Sequence, residues 1–262
     1  MTKYVAIGDL HFGFDKQLLP GGKWKKTPVH EDAAFRVFLQ FAEKFRPDKI
    51  LMMGDMFDMR PVCRHELDVP KKIEGQRLIE VYEKGFDYFI NPILRLNAEV
   101  IWVDGNHEAW AYNLANKYPG IDGMIDPVNY LELRRRGIVC YPQGTILRLG
   151  KLAFAHGDGL VNGDVKYVAK KAVERYSSSI RIWHFHTYQV FTKETLKNKA
   201  YQTGVAVPCL CNRGPSYQTV HLNGWTHGFN YGFIEPNGEF HDYVAVIWRG
   251  KLMTAEGEVY RV

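Results

Sequence analysis

Three observations predict an α/β fold. Apolar runs at residues 3–8, 49–53 and 99–103 have strand length, helical periodicity separates them, and each ends in a cluster of Asp, His or Asn. This is the pattern in which polar groups gather along the carboxyl edge of a parallel sheet. A chain of 262 residues suits a single domain, 1–262, with a strand-helix half over about 1–136 and a strand-rich half over about 137–262.

Composition narrows the class. With 46% hydrophobic and 24% charged residues the profile is that of a soluble globular protein, and no apolar run approaches the ~20 residues of a spanning helix. The N-terminus, Met1-Thr2-Lys3-Tyr4-Val5-Ala6-Ile7, runs straight into a strand, so no signal peptide is expected and the expected location is cytoplasmic. Cys63, Cys140, Cys209 and Cys211 lack zinc-site spacing and are expected as reduced, mostly buried thiols. A formal charge of +5 is compatible with a polyanionic substrate without requiring one.

The first strand ends at Gly8-Asp9-Leu10-His11, where residues i and i+2 of extended backbone point the same way and can grip one ion. The stretch Gly21-Gly22-Lys23-Trp24-Lys25-Lys26 reads as a solvated loop or a phosphate-contacting flap. Thr27-Pro28 reads as a cap with proline in the first helical turn. Ala34, Phe35, Phe38, Phe41, Ala42 and Phe45 then form the core stripe of a helix ending near Arg46. The second strand delivers Gly54-Asp55-Met56-Phe57-Asp58, followed by a loop with Arg60, Arg64 and His65. A carboxylate such as Asp55 can bridge two cations, supplying a ligand to each and negative charge between them.

A second helix is expected over about residues 73–96, irregular near Gly85 and Asn91-Pro92 because proline interrupts the hydrogen-bond ladder. The third strand closes on Asp104-Gly105-Asn106-His107-Glu108. Helical patches follow near 108–117 and 128–136, with Arg134-Arg135-Arg136 as dipole partners at a helix end. Strands at 138–141, 145–149 and 152–155 lead to His156-Gly157-Asp158, a basic helix spans about 164–176, and a strand at 180–183 delivers His184-Phe185-His186. Beyond Tyr188, short strands, a hairpin turn at Pro236-Asn237-Gly238 and alternation at 242–248 and 258–262 suggest a second, more antiparallel sheet.

The chemistry lies in the assembled clusters. Asp9 with His11, Asp55 with Asp58, Asn106 with His107, then His156, then His184 with His186 supply mixed nitrogen and oxygen ligands. Two dications neutralise the anionic oxygens of a phosphate ester and turn bound water into hydroxide near neutral pH. His107 can protonate the leaving oxygen or stabilise charge there. His30, His65, His221, His227 and His241 match no block and read as surface or packing residues, with His221 and His227 in a loop near the cleft.

The order and types of these blocks, over residues 9–186, resemble the calcineurin-like metallophosphoesterase superfamily. The resemblance implies a four-layer α/β/β/α sandwich of two mixed sheets. It implies one ion held by Asp9, His11, Asp55 and His186 and a second by Asp55, Asn106, His156 and His184, most simply Mn²⁺, with Fe, Zn or Ni as alternatives. His107 would be unliganded and oriented by Asp58, and a metal-bridging hydroxide would attack the ester.

Trp183 stands where the family has Gly, which puts the turn geometry there in question and leaves the ring either in the core or offered to a base. Phe12 after the first histidine, Met59 after Asp58, and the presence of His186 set the chain apart from Ser/Thr protein phosphatases. They place it nearer the phosphodiesterase and repair-nuclease branch, although Glu108 is the protein-phosphatase form of its block. The expected substrate is therefore a phosphodiester of nucleic acid or a nucleotide, contacted by Arg60, Trp183, Lys25 and Lys26. A phosphomonoesterase is the alternative, and a non-catalytic scaffold a third reading. No membrane partner is expected.

Overall fold

The computed structural model describes residues 1–63, 66–67, 73–161, 165–194, 201–214 and 224–262. Strand β1 (Thr2–Ile7) is followed by a hairpin of β2 (Phe14–Leu18) and β3 (Trp24–Pro28), helix α1 (Asp32–Phe45) and β4 (Lys49–Met53). Helices α2 (Leu78–Gly85) and α3 (Asn91–Leu94) are joined by a π-helical turn, Phe86–Ile90, and lead to β5 (Glu99–Val103). Then come α4 (Asn106–Lys117), α5 (Pro127–Tyr130), β6 (Val139–Tyr141), β7 (Leu147–Leu149), β8 (Leu152–Ala155) and α6 (Val168–Tyr176). The remaining strands are β9 (Ile180–Ile182), β10 (Gln189–Lys193), β11 (Gln202–Ala206), β12 (His227–Ile234), β13 (Phe240–Ile247), β14 (Lys251–Met253) and β15 (Val259–Arg261).

Two mixed sheets carry the fold. In the first, ordered β13-β12-β1-β4-β5-β6, strands β1, β4, β5 and β6 run parallel, while β12 is antiparallel to both its neighbours, β1 and β13. The second is ordered β10-β11-β9-β8-β7, with a parallel centre and antiparallel edges.

The period of two along β1 explains the layering. Val5 and Ile7 pack with Phe35, Phe38 and Ile93 in a helix-side core, whereas Tyr4 and Ala6 join Leu51, Val103, Phe154 and Trp183 between the sheets. A third core joins Ile180 and Ile182 to Val168, Ala172 and Val173 of α6. Three cores between four layers make the α/β/β/α sandwich.

Several local expectations are corrected. Trp24–Pro28 is strand rather than loop and cap, because Thr27 pairs with Asp15 and Pro28 with Phe14; α1 starts after Glu31, which makes no side-chain cap. The irregularity near Pro92 takes the form of a π turn in which Asn91 N–H reaches back to Phe86 O. Residues 131–137 form turns, so the arginine run sits at no helix end; Arg136 instead lies over the Phe86 ring at 4.3 Å. The β12–β13 hairpin turns where expected but extends the first sheet, and among the described residues β15 pairs with β14 alone. The expected start of the basic helix at Asp164 lies outside the described residues, as do Arg64, His65 and His221.

Candidate metal centre

The polar clusters at the ends of β1, β4, β5, β8 and β9 converge. Backbone hydrogen bonds zip the first two loops together: Asp9 N–H donates to Gly54 O at 3.0 Å, His11 N–H to Asp55 O at 2.9 Å and Phe12 N–H to Met56 O at 2.8 Å. Asp9, His11, Asp55, His184 and His186 all have φ between 49° and 74°. Left-handed backbone at non-glycine residues is strained and persists only where the surroundings over-determine it. Here the ligand candidates themselves make the turns out of the strands.

Each central aspartate has one oxygen committed and one turned into the cluster. Asp55 Oδ1 accepts His107 N–H at 2.9 Å, leaving Oδ2 3.2 Å from His156 Nε2 and 3.8 Å from His11 Nε2. Asp9 Oδ2 accepts His184 N–H at 2.8 Å, leaving Oδ1 3.6 Å from His186 Nε2 and without a hydrogen-bond partner among the described residues. His11 Nε2 and His186 Nε2 face one another at 3.3 Å, and Asn106 Oδ1 lies 3.2 Å from His156 Nε2.

Ligand atoms of Asp9, His11 and Asp55, and separately of Asp55, His156 and His184, lie within 4.8 Å of one another. The structure thus brings all seven predicted ligands together, with Asp55 common to both groups. An orphaned buried carboxylate oxygen among inward-facing imidazoles and carboxylates suits divalent cations with mixed nitrogen and oxygen preference, so the donor set fits a binuclear centre.

Electrostatics agree with that fit. Burial pushes the Asp55 carboxyl up, but His156 and His107 outweigh it and hold it well below the usual range; burial likewise opposes His186 at Asp9, whose carboxyl is lowered. Burial opposes charge on His156 and His186, yet Asp55 raises the first to about 10 and Asp9 the second to about 9. Burial takes His11 down to about 4. His156 and His186 thus each face a carboxylate that favours the protonated form, so proton and cation compete for the same nitrogens.

His107 is 16% exposed at its side chain and packs against Trp110 in a tilted arrangement with centroids 4.0 Å apart. Its Nδ1 meets the backbone oxygen of Asp58 at 2.7 Å, whereas the Asp58 carboxylate lies 3.9 Å away and closer, 3.4 Å, to His11 Nδ1. The main chain of Asp58, more than its side chain, therefore orients His107. Burial raises the Asp58 carboxyl to about 7.

Among the predicted substrate contacts, Arg60 and Trp183 require correction. The Arg60 guanidinium is committed to the carboxylates of Asp15 and Glu66, which neutralises the charge a phosphate would need. Trp183 is 0% exposed within the core between the sheets, so it presents no face to a base. The glycine-requiring angle is also absent from position 183, because the positive φ values fall on His184 and His186. Lys26 is paired with Glu80 on α2, and Lys25 is exposed on β3. A polar cavity of about 280 Å³ does open beside the centre, lined by Asn106, Trp110, Asn113, Gln143, Asp158 and His184.

Sequence reasoning missed two groups. Glu108 is fully buried; its Oε2 accepts the N–H groups of Asp55 and Gly105, each at 2.9 Å, and its Oε1 that of Phe57 at 3.0 Å. The signal was present, since glutamate three residues after the N-cap is a capping-box position. Cys211, beside His11 and His186, gave no signal, because a Cys-x-Cys pair lacks ligand spacing. Of the unassigned histidines, His30 is buried and stacked on Phe12, His227 opens β12 rather than a loop, and His241 is exposed beside Glu235.

The calcineurin-like phosphoesterase family model matches residues 2–223. The chain belongs to that family. This calcineurin-like phosphoesterase matches none of the curated proteins. Among solved structures it is similar to Vps29 of Chaetomium thermophilum at 13% identity and a TM-score of 0.46, covering 99% of this chain and 95% of that one. It is also similar to TT1561 of Thermus thermophilus at 9% identity and a TM-score of 0.32, covering 92% and 98%. At those scores neither neighbour bears on the phosphoesterase's activity. No helix among its described residues is long and apolar enough to cross a membrane.

Proposed function

We propose that this phosphoesterase is a binuclear metal-dependent hydrolase of phosphodiesters in nucleic acid or nucleotides. The observation that supports it most is the convergence of Asp9, His11, Asp55, Asn106, His156, His184 and His186 around inward-facing donor atoms, with His107 beside them. Asp9, His11, Asp55 and His186 would hold one cation, and Asp55, Asn106, His156 and His184 the other, Mn²⁺ being our first expectation. When bound, the two cations neutralise phosphate oxygens and activate water near neutral pH.

The chain's own residues do the rest. Glu108 and the zipped loops hold Asp55 in its left-handed conformation, fixing the carboxylate that would serve both cations. With Nδ1 donating to Asp58 O, His107 keeps Nε2 free to take a proton and pass it to the leaving oxygen. The polar cavity lined by Trp110, Asn113 and Gln143 suits an uncharged part of the substrate, since Asp158 at its wall disfavours a further phosphate. The net charge of +5 supports an anionic ester as substrate.

A monoesterase is the second reading, favoured by Glu108 in the Gly-Asn-His-Glu block, the form that resembles protein phosphatases. Manganese-supplemented hydrolysis of bis(p-nitrophenyl) phosphate and p-nitrophenyl phosphate, beside single-stranded and duplex DNA, separates the two. The diester is expected to be preferred, with Asp55→Asn abolishing turnover and His107→Ala lowering it roughly 10²–10⁴-fold. Preference for the monoester with DNA left intact would establish the second reading instead.

A further inference from the structure

Three histidines of the centre share an arrangement. His156 Nδ1 meets the Met53 carbonyl at 2.8 Å, His107 Nδ1 meets the Asp58 carbonyl at 2.7 Å, and His11 Nδ1 lies 3.4 Å from Asp58 Oδ1. In each ring the other nitrogen, Nε2, turns toward Asp55. An imidazole that ligates through one nitrogen depends on the partner of the other to fix its tautomer and its angle.

His186 follows the arrangement with a different partner. Its Nε2 points at His11 Nε2 and Asp9 Oδ1, while its Nδ1 lies 3.5 Å from Cys211 Sγ. Both side chains are buried, and Trp225 meets the histidine ring edge-on with centroids 4.1 Å apart. Cys211 is itself fixed by its main chain, which pairs with His30 and accepts a hydrogen bond from His227 Nε2 at 2.8 Å. The sulfur lies 3.5 Å from Nδ1, where it is placed to accept the Nδ1 hydrogen; because it also lies within 4.8 Å of ring nitrogens of His11 and His186, direct ligation by Cys211 is the outcome the test must separate.

We propose that Cys211 is the positioning residue of His186, its sulfur accepting the Nδ1 hydrogen so that Nε2 faces the cation site of Asp9, His11 and Asp55. The inference rests on the metal-centre reading and deepens it. It concerns how firmly one cation is held, and it assigns a role to a cysteine that lies outside every ligand block of the sequence.

The test compares zinc affinity of the full chain, by competition with a chromophoric chelator, with that of three variants. Cys211→Val, which fills the space without an acceptor, is expected to weaken binding at one of two sites roughly 10- to 100-fold. Cys211→Ser, which restores an acceptor, should recover most of that loss, and Cys140→Ser, on β6 and in contact with Ile138 O, should leave affinity unchanged. In the zinc-loaded protein, ¹⁵N spectra of the histidine side chains should show His186 protonated at Nδ1 and metal-bound at Nε2, and the cobalt-loaded protein should lack a thiolate charge-transfer band.

Equal affinity of wild type and Cys211→Val, coordination through Nδ1, or a charge-transfer band abolished by Cys211→Ser would each overturn the proposal. A wild-type protein that binds no zinc, cobalt or manganese would defeat the metal-centre reading itself and this inference with it. Normal metal binding with unaffected variants would defeat this inference alone.

Discussion

Trp183 and Gly8 show how tightly single positions are matched behind the centre. A Cβ added to Gly8 would lie 2.6 Å from Trp183 Cδ1 and 2.8 Å from Cγ, and both atoms belong to a rigid ring buried between the sheets. The glycine one residue before Asp9 thus makes room for the indole one residue before His184. Gly8→Ala is expected to destabilise the protein by about 1–3 kcal/mol, the ordinary cost of overpacking a core. Trp183→Leu in the Gly8→Ala background should return part of that loss in chemical denaturation. An unchanged midpoint for Gly8→Ala alone would mean that the indole yields freely.

The β2–β3 hairpin is tied to α2 by charge. Lys16 of β2, Lys26 of β3 and Lys84 of α2 all reach the Glu80 carboxylate. Lys26 and Lys84 first, against a smaller effect of burial and with Lys16 adding to them, take Glu80 from the usual 4.5 to about 2. Because the folded value lies below the unfolded one, the folded state binds fewer protons between them. The stabilisation is therefore complete above about pH 4.5 and lost as pH falls toward 2.

For partly exposed pairs its size is about 0.2–1 kcal/mol, so Glu80→Gln should speed amide exchange in the hairpin a few-fold at pH 7. Near pH 2 the variant and wild type should exchange alike. A difference that persists at pH 2 would show that packing, not charge, holds the hairpin. The same pairing explains why the basic stretch expected to meet phosphate does not stand free: Lys26 already has a carboxylate.

Away from the metal centre, a buried polar network bridges the two sheets. Arg181 of β9 donates to both oxygens of Asp242 on β13, at 2.5 and 2.6 Å, and to Thr203 O of β11 at 2.8 Å. Asn230 of β12 donates to Asp242 at 3.0 Å and accepts from the Tyr4 hydroxyl of β1 at 3.0 Å. Removing one partner of such a pair strands the other charge. Arg181→Met is expected to cost about 3–5 kcal/mol, whereas Arg181→Met with Asp242→Leu should recover most of it. If the double variant unfolds as readily as the single one in thermal denaturation, the network stabilises through its other hydrogen bonds.

Much of this was legible along the chain because its causes are local. Apolar runs of strand length ending in Asp-x-His, Gly-Asp-x-x-Asp and Gly-Asn-His mark both the strands and the residues that leave them. Pro92 lacks the N–H a regular helix needs, and the π turn stands where that loss falls. The turn at Pro236-Asn237-Gly238 was readable for the same kind of reason, with Gly238 at φ 84°.

What was not legible depends on partners far apart in the chain. The alternation of β13 is that of any half-exposed strand, and nothing near residues 240–247 says that β12 will pair Thr2 with Ile234 and carry β13 into the first sheet. Burial of Trp183, commitment of Arg60 to Asp15 and Glu66, and the meeting of Cys211 with His186 belong to the same class. Backbone angles, missing donors and apolar periods act within a few residues and can be read there. Strand order and the partner of a buried polar atom are set by the burial of distant surfaces against one another, a free energy that exists only once the layers have packed.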